Sequence, residues 1–147
     1  MGKVGTGFSM SLGGFIAGPD DSPDRPLGEG GAALAWYFGG DTEYTMPSGK
    51  ITLKVSRASA ELLGETHERT GALVVGLRRF DLARGWGGRH PMMDLPVFVV
   101  THSVSREWVY EGSPSTFVTD GVEEAAERVR AVVADNKDVG VGGANVA

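Results

Sequence analysis

The chain has 147 residues, enough for one domain (1–147) with a sizeable core, and its 41% hydrophobic and 22% charged residues exclude wholesale disorder or a coiled coil. The net charge of −5 argues against a general nucleic-acid binder, and the absence of cysteine removes disulfides, thiolate catalysis and Cys-ligated zinc. No apolar run approaches the roughly 20 residues of a membrane span, and Met1-Gly2-Lys3-Val4 is a poor secretory signal, so a cytoplasmic protein with no metal site and no membrane or nucleic-acid partner is expected.

In chain order, residues 3–9 and then 15–17 read as an extended edge leading into a loop. The segment 18–31, with three prolines and four glycines, is that loop. Ala32–Phe38 has the pattern of a short helix, 39–50 reads as irregular, and Ile51–Val55 as a strand. Ser56–Arg69 is helical in composition, although Gly64 weakens it. Residues 72–75 and 97–100 are short continuous apolar runs bounded by turn signals, which suits strands buried on both faces of a parallel sheet, and 116–118 is a third candidate.

The clearest element is a helix over about 121–134, where Val122, Ala125, Ala126, Val129, Val132 and Val133 form one apolar stripe. Asp120 is placed to cap it, with Glu123 completing a box-like start. Residues 138–141 then read as a strand, so strand, helix and strand make a right-handed crossover unit. The fold class is α/β with a largely parallel central sheet.

Three segments can carry chemistry. Gly142-Gly143 follows a strand, and glycine there lets backbone N–H groups approach a pyrophosphate; the same pair is also an ordinary turn, and its spacing is not the dinucleotide fingerprint. Gly76-Leu77-Arg78-Arg79-Phe80-Asp81 follows the strand 72–75, and arginine at that end of a parallel strand suits a phosphate, or simply flanks an exposed helix. Thr101-His102-Ser103 follows the strand 97–100 and offers hydroxyls and an imidazole to a ribose phosphate, or is a surface loop. Parallel strands would bring all three to one rim. Around them Arg78, Arg79, Arg84, Arg89 and Arg106 face only Asp81 and Asp94, a positive segment in an acidic protein that suits a small phosphorylated ligand or a solvated surface.

The order of M-S-L-x-G-F-I-A-G-P-D-D (10–21), G-x-R-R-F-D (76–81), G-W-G-G (85–88), P-V-F-V-V-T-H (96–102), F-V-T-D-G-V-E-E-A (117–125) and the closing G-G-A-N-V-A resembles the dihydrofolate reductase-like family. It is most similar to the reductase domain of the bifunctional riboflavin-biosynthesis deaminase-reductase, over almost the whole chain. The resemblance implies a three-layer fold and NADPH bound along the sheet edge. It places Gly76, Arg78, Arg79, Thr101, His102 and Ser103 toward the 2′-phosphate and adenosine end, Gly142, Gly143 and Ala144 at the pyrophosphate, and Ile16 and Ala17 by the nicotinamide.

Three departures stand out. The family's S-L-D-G has Gly13 at its acidic position, the basic residue after the first glycine of G-R-R is Leu77, and the family continues beyond Ala147 into further strands. An open strand edge would invite a homodimer. The implied activity is hydride transfer to a small heterocyclic, pterin- or pyrimidine-like substrate, with a non-catalytic nucleotide-binding protein as the alternative. No catalytic residue is assigned; Asp20, Asp21 and Glu29 are the acids nearest a substrate pocket.

Overall fold

The computed structural model describes residues 2–104 and 107–143. In chain order the elements are β1 (Val4–Gly5), β2 (Thr42–Thr45), β3 (Thr52–Val55), α1 (Arg57–Arg69), β4 (Thr70–Gly76), α2 (Leu77–Leu82), β5 (Val97–Val100), β6 (Ser115–Val118), α3 (Val122–Val132) and β7 (Asp138–Gly142). They fall into two compact units, one of Met1–Gly7, Arg69–His90 and Asp94–Ala147, the other of Phe8–Glu68 and Pro91–Met93.

The first unit is built on a five-stranded sheet in the order β1-β7-β4-β5-β6, and every neighbouring pair is parallel. Side chains alternate across a strand, and both faces here are apolar. One carries Ala72, Val74, Phe98, Val118 and Val139, covered by Ala125, Val129 and Val133. The other carries Val75, Val97 and Val99, packed with Phe80, Leu77, Trp86, Trp108 and Phe117. Burial on both sides is why the sequence shows unbroken apolar runs instead of alternation. An 11-residue helix is marginal alone, so α3 owes its stability to Ala125 and Val129, with Val133 just beyond, buried against the sheet; Val122 and Val132 of the expected stripe are exposed.

Several expectations need correction. Residue 120 does not cap α3: Gly121 occupies that position with φ 96°, no side chain bonds the first turn, and Asp120 lies 3.9 Å from Arg128 instead. The expected strand–helix–strand crossover is present as β6–α3–β7 in one parallel sheet, with β7 between β1 and β4, so the connection passes over β5 and β4. The extended N-terminal edge shrinks to Val4–Gly5, and residues 16–17 are bends. The helix near 32–38 is a single 3-10 turn, Gly31–Ala35.

The G-W-G-G segment has an unusual backbone. Arg84, Gly85, Trp86 and Gly87 all have φ between 50° and 63°, a left-handed turn that two non-glycine residues enter at a cost. Packing explains it. A Cβ at Gly85 would lie 2.7 Å from the Trp108 carbonyl oxygen, and the turn lays Trp86 edge-on against Phe80 at 5.6 Å.

The second unit contains the β2–β3 hairpin and α1. The hairpin pairs Thr42 with Val55 and Thr45 with Thr52, so part of the stretch read as irregular is a strand. Its Met46 and Val55 are fully buried. Ser56 caps α1, its Oγ accepting the Ser59 N–H at 3.1 Å. The loop 18–31 folds back on itself, with Gly18 N–H donating to Leu27 O and Glu29 N–H to Pro19 O. A Cβ at Gly18 would sit 1.8 Å from Glu29 O, so only glycine allows that approach.

Candidate functional site

The three segments singled out in the sequence meet on one edge of the first unit. β7, β4 and β5 are adjacent and parallel, and their C-terminal ends carry Gly142-Gly143, Gly76–Arg79 and Thr101–Ser103 in that spatial order. The register fixes the closeness: Gly142 pairs with Val75, and Gly76 with Val100. Strands lie about 4.8 Å apart, so the rim from the double glycine to Thr101 spans roughly 10 Å. Ligands of open parallel sheets gather at this edge.

The double glycine and the second arginine are close neighbours. A Cβ built on Gly142 would lie 3.2 Å from Arg79 Nε, 3.4 Å from Arg79 Cδ and 3.2 Å from Val75 Cγ1. At Gly143, where φ is +106°, it would lie 3.9 Å from both Arg79 Cβ and Gly76 N. The absence of a Cβ at Gly142 lets the Arg79 side chain pack across the end of β7, so a cation lines this edge. An arginine at such an edge suits phosphate oxygens. Arg79 keeps more than a third of its surface in solvent, yet the packing round its guanidinium is close enough for desolvation to lower its pKa.

The remaining arginines differ in character. Arg78 is exposed on α2, and Arg89 is paired with Asp94 at 2.7 Å, which removes it as an unpaired cation. Leu77, in place of the family's basic residue, packs into the apolar cluster under α2. Arg106 and Ala144 lie outside the described residues.

Thr101 plays a part that the sequence did not reveal. It is 7% exposed, and its hydroxyl donates to Ser103 O at 2.6 Å while accepting the Ser103 N–H at 3.2 Å. Its one O–H is therefore spent inside the turn. Thr101 shapes the loop and leaves His102 and Ser103 exposed at the rim.

Ile16 and Ala17 belong to the second unit and are half-buried there. Ala17 lines an open apolar cleft of about 520 Å³, together with Ser11, Phe15, Gly18, Glu29 and Leu34. Of the three acids proposed from the sequence, Glu29 lines this cleft, and Asp20 and Asp21 do not. The aromatic and aliphatic members of the cleft were not singled out: Phe15 stands within the 10–21 motif but was given no role, and Leu34 carries no motif.

Two titratable features stand apart. In the first unit Asp81 Oδ1 is buried without a hydrogen-bond partner, and burial, with the Glu107 charge second, raises its pKa. In the second, Tyr44 Oη and His67 Nδ1 are 2.9 Å apart, and burial raises the phenol and lowers the imidazole. Among the described residues no group of three or more His, Asp or Glu side chains could hold a metal, and no helix is long and apolar enough to cross a membrane.

No family model matches the chain, and no curated protein does. Among solved structures, the chain is similar to a crystal structure from Shewanella sp. PV-4 provisionally assigned to riboflavin biosynthesis. The match has a TM-score of 0.57 and 17% identity, over 99% of this chain and 67% of that chain. At that identity the likeness speaks for the fold alone. The fold is α/β, with a five-stranded parallel sheet between layers, consistent with a dihydrofolate reductase-like fold as in proteins of riboflavin biosynthesis.

Proposed function

We propose that this chain is an NADPH-dependent reductase that transfers a hydride to a small heterocyclic, pterin- or pyrimidine-like substrate. The observation that carries the reading is the convergence of Gly142-Gly143, Arg79 and the Thr101–Ser103 turn on one edge of a parallel sheet. The order of family-like motifs and the fold of the riboflavin-biosynthesis neighbour support it. On this reading Gly142, Gly143 and the arginines of α2 hold the phosphates, and His102 and Ser103 face the adenosine end. The bound cofactor supplies the hydride, and the chain supplies position and charge.

The test is titration with NADPH and NADH, followed by loss of reduced-nicotinamide absorbance with candidate heterocycles. Saturable NADPH binding with substrate-dependent oxidation is expected. A second reading, a binding protein that has lost the reaction, is favoured by Leu77 and Gly13, which replace the basic and acidic positions of the family pattern. Tight cofactor binding with no oxidation across pterins and pyrimidines would select it, and absence of dinucleotide binding would end both.

A further inference from the structure

We propose that Asp120-Gly121, between β6 and α3, is a self-modifying step that converts Asp120 to isoaspartate in the folded protein. The inference is independent of the cofactor reading.

The chemistry belongs to the residue pair. A backbone amide can attack the side-chain carboxyl of the aspartate before it, and glycine hinders this least, having no Cβ and the widest backbone freedom. The Gly121 nitrogen bonds to Asp120 Cγ, and one carboxyl oxygen leaves as water, closing a five-membered succinimide. Water then opens the ring. Cleavage of the new N–Cγ bond restores aspartate. Cleavage between that nitrogen and the Asp120 backbone carbonyl carbon leaves the chain running through the side chain, as isoaspartate. The water lost on closure returns on opening, so the change is an isomerisation that consumes no reagent. Asp120-Gly121 is the one Asp-Gly step in the sequence, and Asn-Gly does not occur.

The fold leaves this step open to reaction. A capping aspartate has its carboxylate held by N–H groups of the first helical turn, away from the amide that follows it. Here Gly121 holds the cap position, and no side chain bonds the first turn. Asp120 has instead a loose contact with Arg128 at 3.9 Å, and that guanidinium is committed to Glu124 at 2.6 Å. The Asp120 side chain is 70% exposed, so water can leave and return. Gly121 has φ 96° and ψ −178°, a conformation that suits glycine, and among the described residues no backbone carbonyl accepts its N–H. Asp138 is the contrast within the same unit. Its carboxylate is held by Arg69 and the Lys3 N–H, and the residue after it is the β-branched Val139.

Conversion adds one carbon to the main chain directly before α3 and moves the free carboxylate onto the former backbone carbonyl. The change falls two residues after Val118, whose carbonyl accepts the Thr101 N–H at 3.0 Å.

The experiment is prolonged incubation of the whole folded chain at mildly acidic and neutral pH, beside the same chain held unfolded in guanidinium. Asp120→Glu and Asp120→Asn are treated alike. Peptide mapping by mass spectrometry locates isoaspartate, and labelling by an isoaspartyl methyltransferase counts it. Folded wild type is expected to gain isoaspartate at 120 and none at 138. Asp120→Glu, whose closure would need a six-membered ring, should lose the signal. Asp120→Asn should pass through the same succinimide, releasing ammonia in place of water, and give both aspartate and isoaspartate at 120. Isoaspartate confined to the unfolded chain overturns the inference, because the fold would then protect the step. A folded chain that gains it only at other aspartates, or a wild-type signal in Asp120→Glu, overturns it as well.

Discussion

Replacing Phe80 with alanine and with leucine separates two contributions to the packing that holds α2 on the sheet. Phe80 is 2% exposed, and its ring meets Trp86 edge-on at 5.6 Å and Phe117 edge-on at 5.3 Å. Alanine removes the whole ring and is expected to cost about 3–5 kcal/mol. Leucine restores most of the volume and loses the two edge-on pairs, each worth about 0.5–1.5 kcal/mol. For a chain of this size each kcal/mol lowers Tm by about 2–4 °C, so alanine should lower it by roughly 6–20 °C and leucine by clearly less. Thermal unfolding followed by near-UV circular dichroism reads this directly, since Trp86 loses its asymmetric neighbour. Because Arg79 precedes Phe80 in α2, the leucine variant should keep dinucleotide affinity well below its Tm. The reasoning is refuted if alanine costs under about 1 kcal/mol, or if leucine costs as much as alanine.

Asp138 accepts from Arg69 Nε at 2.8 Å and from the Lys3 N–H at 2.6 Å, and the Arg69 bond is the main reason its pKa lies below the ordinary value. This contribution is present above the unfolded carboxyl pKa and is lost as pH falls through the depressed folded value; Asp138→Asn should remove that acid dependence and speed amide exchange at Lys3. Asp81 has the opposite sign: its folded pKa is raised, so its burdened carboxylate costs stability as pH rises through that value. Asp81→Asn should therefore raise the urea midpoint at neutral pH, with the gain vanishing below the unfolded pKa. Burial disfavours the His67 cation and lowers its pKa, and with its proton on Nε2 it accepts from Tyr44 through Nδ1. Its contribution is full above the unfolded imidazole pKa and is lost as pH falls through the lowered folded one, so His67→Gln should flatten that acid-side loss of stability.

Much of the sheet was legible because burial on both faces leaves a local mark. Residues 72–75 and 97–100 are short unbroken apolar runs, and each is a central strand of the parallel sheet. The stripe read from Val122 to Val133 gave α3, but only Ala125, Val129 and Val133 of it are buried against the sheet; Val122 and Val132, counted in the stripe, lie exposed. The start of α3 was misread because Asp120 is a good cap by composition, whereas the backbone at Gly121 has φ 96° and holds the side chain of 120 away from the first turn. The strand at 42–45 escaped notice because it is half-exposed, and its Thr-Glu-Tyr-Thr carries too little apolar signal to stand out.

By itself, the sequence determined the class of fold, the strands that end in glycine, arginine and threonine, and hence which residues could share an edge. Those features depend on residues close together along the chain, where periodicity and turn chemistry act. Only the tertiary structure decided that β7 inserts beside β4, because strand order is set by packing between segments some 60 residues apart. That insertion brings Gly142 beside the Arg79 side chain, while the Thr101 hydroxyl bonds Ser103 within its own turn and Leu77 packs against the apolar cluster.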